Sequence, residues 1–258
     1  MVDELLSVKN LSVDFERYGT TFGKSRVMTV ENVDLTIKSG EIVAVVGASG
    51  SGKSLLAHSI LGILPKNAQI GGEIFFKGDL LTPMRQKQTR GREICLIPQS
   101  INYLDPVLKI KKQLLLNRFT YKDVLDALEK LDLEESVLEL YPHQLSGGMA
   151  RRILFATALL TQAELIVADE PTPGMHLKQA ISALSLLKQM ACEEGKAVIL
   201  ITHDIDLAVE FADKITFFYE GKTIESMTPQ AFQKGPTDNW NPFTKKMWRA
   251  LPQNEFLG

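Results

Sequence analysis

Short apolar segments that stop abruptly at polar residues constrain the fold of this 258-residue chain more than any other feature. Four of them, IVAVV, ICLI, LIVA and AVILI, are separated by helical stretches. Runs this short and this apolar are typical of strands that are buried on both faces. Strands that alternate with helices predict a mostly parallel sheet. The sequence therefore predicts an α/β fold.

The polar residues that follow these segments are Gly47, Gln99, Asp169 with Glu170, and His203. Ligands of open α/β sheets bind at the carboxyl ends of the strands. Burying an unpaired carboxylate is costly. We therefore expect the two acids to lie at the mouth of a binding site, where they need not be buried without partners.

The segment GASGSGKS fits the pattern G-x-x-x-x-G-K-[S/T] and lies between a predicted strand and a predicted helix. Its glycines let backbone N–H groups point at phosphate oxygens, and the helix N-terminus directs its positive dipole end at the same anion. Lys53 adds a full charge near the terminal phosphates, and the Ser54 hydroxyl can ligate Mg²⁺. The residues predicted to bind the phosphates are Gly47, Ala48, Ser49, Gly50, Ser51, Gly52, Lys53 and Ser54.

The two acids then have separate predicted roles. Mg²⁺ accompanies a nucleotide phosphate chain and prefers hard oxygen ligands, so Asp169 is placed to hold it directly or through water. Glu170 can orient and deprotonate an attacking water. The alternative for Glu170 is structural, in which it merely starts a turn with Pro171.

Composition narrows the class of function. The net charge is −2, without the basic excess of a nucleic-acid binder, so no nucleic-acid partner is predicted. The two cysteines, Cys95 and Cys192, are interpreted as reduced thiols and not as a disulfide. The N-terminal sequence lacks a secretory pattern, and no apolar run approaches the roughly 18 residues that span a bilayer. Work at a membrane would proceed from the cytosolic side through a partner.

The segment LSGGM, Leu145 to Met149, follows a helical stretch (107–160) and precedes LIVADE. In this place it resembles the signature motif of ABC-type ATPases. Gln99 then resembles the Q-loop residue, and His203, in ITHD, resembles the switch histidine. The motifs follow the family's order along residues 6–225.

The resemblance implies a P-loop, RecA-like ABC ATPase core with an N-terminal antiparallel β-subdomain and an inserted α-helical subdomain. Residues 1–97 and 160–227 would form the ATP-binding core with its β-subdomain. Residues 98–159 would form the helical signature subdomain, and residues 228–258 a C-terminal extension.

The resemblance also implies a mechanism that uses ATP and Mg²⁺. Two such domains close head to tail, and each ATP lies between one subunit's phosphate loop and the other's signature. The implied catalytic residues are Glu170 and His203, and the implied Mg²⁺ ligands are Ser54, Gln99 and Asp169. The residues implied to act in trans on the γ-phosphate are Leu145, Ser146, Gly147, Gly148 and Met149.

An aromatic residue near the N-terminus is expected to stack on the adenine ring. Phe15 is the first candidate, with Tyr18 and Phe22 as alternatives. A position of Phe15 in the core is an equally open interpretation.

Two further stretches, YPHQLSGGM and NPFTKKMWRALP, resemble the ATPase subunits of peptide and nickel importers. The tail lacks the cysteine-rich extension of the oligopeptide subunits and is closer to the nickel and opine-metallophore members. The chain is thus predicted to be the energy-coupling, ATP-hydrolysing subunit of an importer for nickel or metal–metallophore complexes, or for small peptides. Its predicted partners are two membrane permease subunits and, indirectly, an extracellular solute-binding protein. Its predicted place is the cytoplasmic face of the cell membrane, as a peripheral protein.

Two other functions compete with this one. A soluble ABC ATPase of DNA repair or translation usually carries a long coiled-coil insert or two cassettes in one chain, and neither pattern occurs in this sequence. A weakly hydrolysing ATP-binding module is the other alternative, and Glu170 and His203 argue against full inactivity.

In DEPTPGMH the family pattern places the aspartate of the D-loop at the last position, where this chain has His176; Pro173 and Gly174 depart from the pattern as well. In the family this loop crosses to the opposite subunit. A histidine has a reference pKa of about 6.5, so it is mostly neutral at pH 7 and cationic at lower pH, and it does not supply the negative charge of an aspartate. Either His176 is a tolerated substitution and the backbone of the loop is sufficient for its role, or the chain pairs with a second, non-identical ABC ATPase subunit. The sequence favours such a heterodimer.

Overall fold

The computed structural model describes residues 4–18, 24–115 and 119–251, and the side chains of residues 17, 18 and 24–26 are left out of the description. The strands are β1 (Glu4–Tyr18), β2 (Lys24–Lys38), β3 (Ile42–Val46), β4 (Ala68–Phe76), β5 (Asp79–Leu80), β6 (Ile94–Ile97), β7 (Leu165–Asp169), β8 (Ala197–Thr202), β9 (Lys214–Tyr219) and β10 (Lys222–Met227). The α-helices are α1 (Lys53–Leu61), α2 (Pro83–Thr89), α3 (Ile110–Leu115), α4 (Tyr121–Glu129), α5 (Gly147–Leu160), α6 (Leu177–Glu194), α7 (Ile205–Phe211), α8 (Pro229–Gln233) and α9 (Pro242–Arg249).

These strands form two sheets. The first has four strands in the order β2-β1-β4-β5 and is antiparallel throughout. The second has six strands in the order β10-β9-β3-β8-β7-β6. Its strands pair in parallel, except that β10 pairs antiparallel with β9. The predicted α/β fold with a mostly parallel sheet and an N-terminal antiparallel sheet is confirmed.

The six-stranded sheet lies between two apolar cores, which is why its central strands β3, β8 and β7 are apolar except at the last residue of β8, Thr202, and of β7, Asp169. Val43 and Val45 of β3 belong to one core, together with α1 and the antiparallel sheet. Ala44 and Val46 belong to the other core, together with the helical stretch and the C-terminal segment. Successive side chains of a strand point to opposite faces, so a continuous apolar run satisfies both cores.

The first helix ends earlier than the sequence indicates. The sequence alone predicts that Pro65 stops this helix, but α1 ends at Leu61 and Gly62 caps it with φ +64°. The N–H of Gly62 donates to the carbonyls of His58 and Ser59. A glycine in the left-handed region commonly ends a helix in this way, and here it acts before the proline is reached. The sequence alone also predicts Gly195 as a helix cap, and in the structure it caps α6 with φ +70°.

The stretch YKDVLDALEKLDLEESVLEL is helical only in its first half. Thr120 and Asp123 form a capping box at the start of α4, which ends at Glu129. Asp132 then takes φ +51°, and residues 135–139 form a 3₁₀ turn. The leucine spacing continues across this break because Leu138 and Val137 still pack in the same core.

The C-terminal segment packs on the six-stranded sheet through an aromatic stack. The Phe232 ring lies between Phe217 of β9 and Trp240, with ring centroids 5.3 Å and 5.6 Å away. Trp248 and Leu251 are buried in the same core. The sequence alone predicts a turn at Glu220–Gly221 and one helix at the end of the tail. The turn lies between β9 and β10 and the helix is α9, whereas α8 is not predicted.

Both cysteines are free, as expected: Cys95 is buried and Cys192 is exposed. Burial raises the pKa of the Cys95 thiol to about 12. Among the residues that the structure describes, every helix is too short or too polar to cross a lipid bilayer.

Candidate active site

The carboxyl ends of the parallel strands bring the predicted polar residues to one edge of the sheet. Val46 pairs with Thr202, Asp169 with Ile201, and Ile97 with Ala168, so the strand ends are in register. A cavity of about 260 Å³ opens at this edge. It is lined by Thr29, Ser49, Gly50, Gly52, Lys53, Ser54, Leu55, Gln99 and Glu170.

The glycines of the loop after β3 are required by its shape. A Cβ atom at Gly47 would lie 2.1 Å from the carbonyl oxygen of Phe218, so no other residue fits there. Gly50 has φ +78° and Gly52 has φ +102°, in the region that L side chains rarely adopt. The Oγ atom of Ser51 is buried and has no hydrogen-bond partner among the described residues. The loop is thus a tight cradle with a spare hydroxyl.

The Lys53 side chain is buried against this loop. Its Nζ atom donates to the carbonyl oxygens of Gly47, at 2.7 Å, and of Ala48, at 2.8 Å. Burial lowers the pKa of Lys53, while the nearby carboxylates of Glu170 and Asp169 act in the opposite direction. The arrangement holds a cation at the wall of the cavity.

Ser54 and Asp169 provide a pair of oxygen donors. The Ser54 Oγ atom donates to Oδ1 of Asp169 at 3.1 Å. Asp169 is 2% exposed, and burial raises the pKa of its carboxyl, against which the Ser54 hydrogen bond acts. Mg²⁺ takes one or two carboxylates together with substrate phosphates and water, so a hydroxyl beside a single carboxylate fits it. The described residues contain no cluster of three or more His, Cys, Asp or Glu side chains that could hold a metal by themselves.

Glu170 combines a strained backbone with a defined side-chain partner. Its φ is +46°, which is unfavourable for a non-glycine residue by roughly 1–2 kcal/mol. Its Oε2 atom lies 2.8 Å from Nδ1 of His203. Backbone strain of this kind clusters at functional sites, where the surrounding structure maintains it.

The Gln99 segment is fastened to the helical stretch by a residue that the sequence did not single out. Gln99 is exposed at the cavity, and Nη1 of Arg151 donates to the carbonyl oxygens of Pro98, at 3.0 Å, and of Gln99 itself. Thr29 was also missed, and it reaches the cavity from β2. Neither residue belongs to a local motif, because each contacts a part of the site that is distant in the sequence.

The signature residues lie on a different surface. Ser146 caps α5, and its Oγ atom accepts a hydrogen bond from the Met149 N–H at 3.2 Å. Gly147 and Gly148 form the first turn of α5, directly after Leu145. A Cβ atom at Gly148 would lie 3.4 Å from the carbonyl oxygen of Gly174. We call residues 145–149 together with residues 173–176 the signature surface.

His176 lies in this surface and is exposed at the N-cap position of α6, where its side chain makes no capping hydrogen bond.

The three aromatic candidates for the adenine contact belong to the N-terminal part of the sequence. Phe15 is partly buried and packs against the core beside the antiparallel sheet. The side chain of Tyr18 and the whole of Phe22 fall outside the described residues.

Comparison with known proteins gives a consistent result. The family model described as "ABC transporter" matches residues 30–173. The chain is 33% identical, over its whole length, to the dipeptide transport ATP-binding protein DppD of Bacillus subtilis, and the match covers 79% of that protein. It is 31% identical, again over its whole length, to the oligopeptide transport ATP-binding protein OppD of the same organism, of which 74% is covered.

A solved structure adds a match in three dimensions. It is the dimeric post-hydrolysis state of the ATP-binding cassette MJ0796 bound to ADP and Pi, with a TM-score of 0.76 and 29% identity. The match covers 87% of this chain and 98% of the cassette. On the fold, the family model and these similarities, the chain belongs to the ABC transporter family and is an ATP-binding and ATP-hydrolysing member of it.

Proposed function

We propose that this chain is the energy-coupling ATPase subunit of an ABC importer. The observation that carries the proposal is the contact between Glu170 and His203, at 2.8 Å, at the edge of the cavity that Lys53 and Ser54 also line. A carboxylate that is buried, oriented and placed beside a phosphate loop has the position of a base for hydrolysis. The names of the DppD and OppD relatives support the transport role.

In this proposal each side chain of the cavity has one task. The loop from Gly47 to Ser54 cradles the phosphates of ATP, and Lys53 balances their charge. Ser54 and Asp169, with Gln99 at the rim, would hold Mg²⁺, which supplies charge neutralisation on the phosphate oxygens. Glu170 accepts the proton of the attacking water, and His203 fixes the Glu170 carboxylate. Phe15 remains our candidate for the adenine contact.

The signature surface is proposed to serve the ATP of a second subunit. Ser146 and the first N–H groups of α5 form a helix N-terminus, which favours an anion. None of the residues from 145 to 149 lines the chain's own cavity. The relative MJ0796 is a dimer in its ADP-bound and Pi-bound structure. A head-to-tail pair would bring the signature surface of one subunit against the phosphate loop of the other.

The division into moving parts is also part of the proposal. Residues 98–159 would move as a helical subdomain against a core made of residues 1–97 and 160–227, with residues 228–258 as an extension. The motion would be passed to two membrane permease subunits at the cytoplasmic face of the membrane. An extracellular solute-binding protein would deliver the transported molecule.

We propose small peptides as the transported class. The tail of the sequence resembles nickel and metallophore systems, but the curated relatives described above carry dipeptide and oligopeptide names. The signature segment YPHQLSGGM is compatible with both branches. The peptide alternative is therefore the better supported of the two.

Reconstitution tests the proposal. The chain would be co-purified with the permeases, the second ATPase and the binding protein encoded by neighbouring reading frames, and placed in lipid vesicles. We expect ATP hydrolysis to rise when the binding protein is loaded with di- or tripeptides, and not with Ni²⁺ chelates. Stimulation by Ni²⁺ chelates alone would overturn the peptide class, and hydrolysis that ignores both ligands and permeases would overturn the importer role.

The heterodimer is tested at His176. Each site of the assembled pair would be measured separately, with the other disabled by alanine at its phosphate-loop lysine. We expect the site that receives the His176 loop to be the slower one and to gain activity on His176→Asp. Equal activity of the two sites, with no response to His176→Asp, would contradict the unequal pair. Lys178→Asp, an exposed change nearby in α6, is the control for added negative charge.

A further inference from the structure

We propose that Arg151 is a positioning residue of the ATPase: it ties the backbone of the Gln99 segment to helix α5 and thereby sets the place of Gln99 at the mouth of the cavity. The inference rests on the proposed function of this site. It concerns a residue two positions after the LSGGM segment, which the sequence pattern alone does not mark.

The contacts of Arg151 join two parts of the fold. The residue lies in the second turn of α5 and is 7% exposed. Its Nη1 atom donates to the carbonyl oxygens of Pro98 and Gln99, the two residues that directly follow β6. One nitrogen thus fixes two successive peptide groups at the end of a strand that belongs to the parallel sheet. Hydrogen bonds from a charged donor are the stronger ones in proteins.

The charge of Arg151 is held in an unusual setting. Within the described part of the chain no salt bridge joins Arg151 to a carboxylate, and its Nε atom is buried without a hydrogen-bond partner there. Burial lowers the pKa of the guanidinium, and the negative charge of Glu170 acts in the opposite direction. A buried cation is costly unless it is compensated, so the two carbonyls and the field of Glu170 are what hold it.

The neighbouring arginine makes a contrast on the same helix. Arg152 donates to the carbonyl oxygens of Leu131, at 3.0 Å, and of Asp132, at 2.7 Å. These partners belong to the helical stretch that also contains α5. Arg152 therefore links two parts of the helical stretch to each other. Arg151 instead links the helical stretch to the residues that follow β6 at the cavity.

A consequence for the mechanism follows from this difference. If α5 shifts against the sheet, the Arg151 bonds either carry the backbone of Pro98 and Gln99 along or break. Gln99 is exposed, and its side chain makes no hydrogen bond to any of the described residues, so its position depends on its backbone. Arg151 acts on Gln99 in this way and not by touching the phosphates.

The test uses Arg151→Met, Arg151→Lys and Arg152→Met in the full-length chain. Hydrogen exchange and single-turnover ATP hydrolysis would be measured for each variant. For Arg151→Met we expect faster exchange in peptides that cover residues 98–104, and unchanged exchange over the phosphate loop, residues 47–54. We expect the hydrolysis rate to fall about tenfold while the Kd for ATP stays within about threefold, because two charged hydrogen bonds are lost outside the phosphate cradle.

The other two variants separate positioning from folding. Arg151→Lys keeps a cation and one donor, so it should recover part of both the exchange protection and the rate, even if Arg151→Met folds poorly. Arg152→Met should change exchange near residues 128–133 and leave residues 98–104 as in the parent. Parental exchange at 98–104 together with a parental rate in Arg151→Met would overturn the inference. So would an increase in exchange at 98–104 in Arg152→Met that equals the increase in Arg151→Met.

A failure of the underlying function gives a different result. Lys53→Ala removes the cation of the phosphate cradle, so it should abolish hydrolysis whatever Arg151 does. Hydrolysis that persists in Lys53→Ala would refute the site itself. Hydrolysis that disappears in Lys53→Ala but is untouched in Arg151→Met would refute only the role of Arg151.

Discussion

The Nδ1 atom of His203 lies 2.8 Å from Oε2 of Glu170, and this contact joins the ends of the neighbouring strands β8 and β7. The backbone N–H of Glu170 also donates to the carbonyl oxygen of Ile201, so the residue is held to β8 twice. The Glu170 side chain is 9% exposed and the His203 side chain 57% exposed. The carboxylate thus lines the cavity while it is almost buried, and the imidazole that contacts it is exposed.

Glu170→Gln should retain ATP binding and slow hydrolysis about 10²- to 10⁴-fold, the usual contribution of a general base. The amide keeps the shape of the side chain but cannot accept the proton of water. Equilibrium binding of ATP tests whether binding is retained, and the turnover rate of the assembled transporter tests whether hydrolysis is slowed. Glu164→Gln, an exposed change just before β7, is the matched control. A parental turnover rate in Glu170→Gln would show that Glu170 is not the base.

Lys53→Ala should weaken ATP binding by about 10- to 100-fold, because a hydrogen bond from a charged donor contributes about 1.5–3 kcal/mol. Titration calorimetry with ATP measures the loss directly. Lys66→Ala, an exposed change in the segment after α1, removes the same charge at a distance from the cradle and should bind ATP like the parent. Equal affinity of the two variants would remove Lys53 from the phosphate site.

Asp169→Asn should raise the free energy of unfolding more at about pH 7 than at about pH 3. Burial raises the pKa of Asp169 in the folded chain above its unfolded value. Between those two values the folded state binds more protons than the unfolded state, so this residue's contribution falls as pH rises through the window. An asparagine has no such dependence. Urea unfolding at both pH values measures the difference, and an equal effect of Asp169→Asn at the two pH values would contradict the prediction.

Ser146→Arg should leave ATP binding to the isolated chain intact and impair hydrolysis in the assembled pair. The residue caps α5 on the signature surface and does not line the cavity of its own chain. A bulky cation there would obstruct the phosphates of the opposite subunit. Ser136→Arg, an exposed change elsewhere in the helical stretch, serves as the control. An unchanged rate of transport in Ser146→Arg would argue against action in trans.

Glu170→Gly should be more stable than Glu170→Ala by about 1 kcal/mol, because alanine, unlike glycine, is strained in the left-handed region. Glu170 has φ +46°, whereas Glu164 is not among the residues with positive φ. The same pair of substitutions at Glu164 should therefore give the reverse order. Thermal or urea unfolding of the four variants measures both differences. The same order at both positions would mean that strain at Glu170 is absent in solution.

The sequence predicted those parts of the fold and site that depend on local patterns. The strands β3, β6, β7 and β8 are apolar on both faces, and this shows as uninterrupted apolar runs. Gly50 and Gly52 are required by the positive φ angles of the loop itself, so the spacing of a few residues was enough to find them. The early end of α1 was missed because Gly62 and Pro65 are both helix-stop signals, and the sequence does not say which one acts.

The residues that were missed depend on distant contacts. Arg151 acts on residues 98 and 99, more than fifty positions earlier in the chain. Thr29 reaches the cavity because β2 lies near the phosphate loop, where a Cβ atom at Gly52 would meet the Thr29 carbonyl at 3.3 Å. α8 was hidden by a tail with proline and asparagine, and Phe232 is buried by aromatic rings from other elements. No pattern in neighbouring residues reports such contacts.

The left-handed backbone at Glu170 also has a consequence for copies of this chain that lose their activity. Selection for stability alone favours glycine or asparagine at such a position, since these residues adopt it most readily. A gene copy that no longer had to hydrolyse ATP would therefore gain stability by replacing this glutamate. Among duplicated copies of this cassette, a glutamate at position 170 would identify those that still hydrolyse ATP. A glycine or asparagine at this position would identify those that have lost this activity.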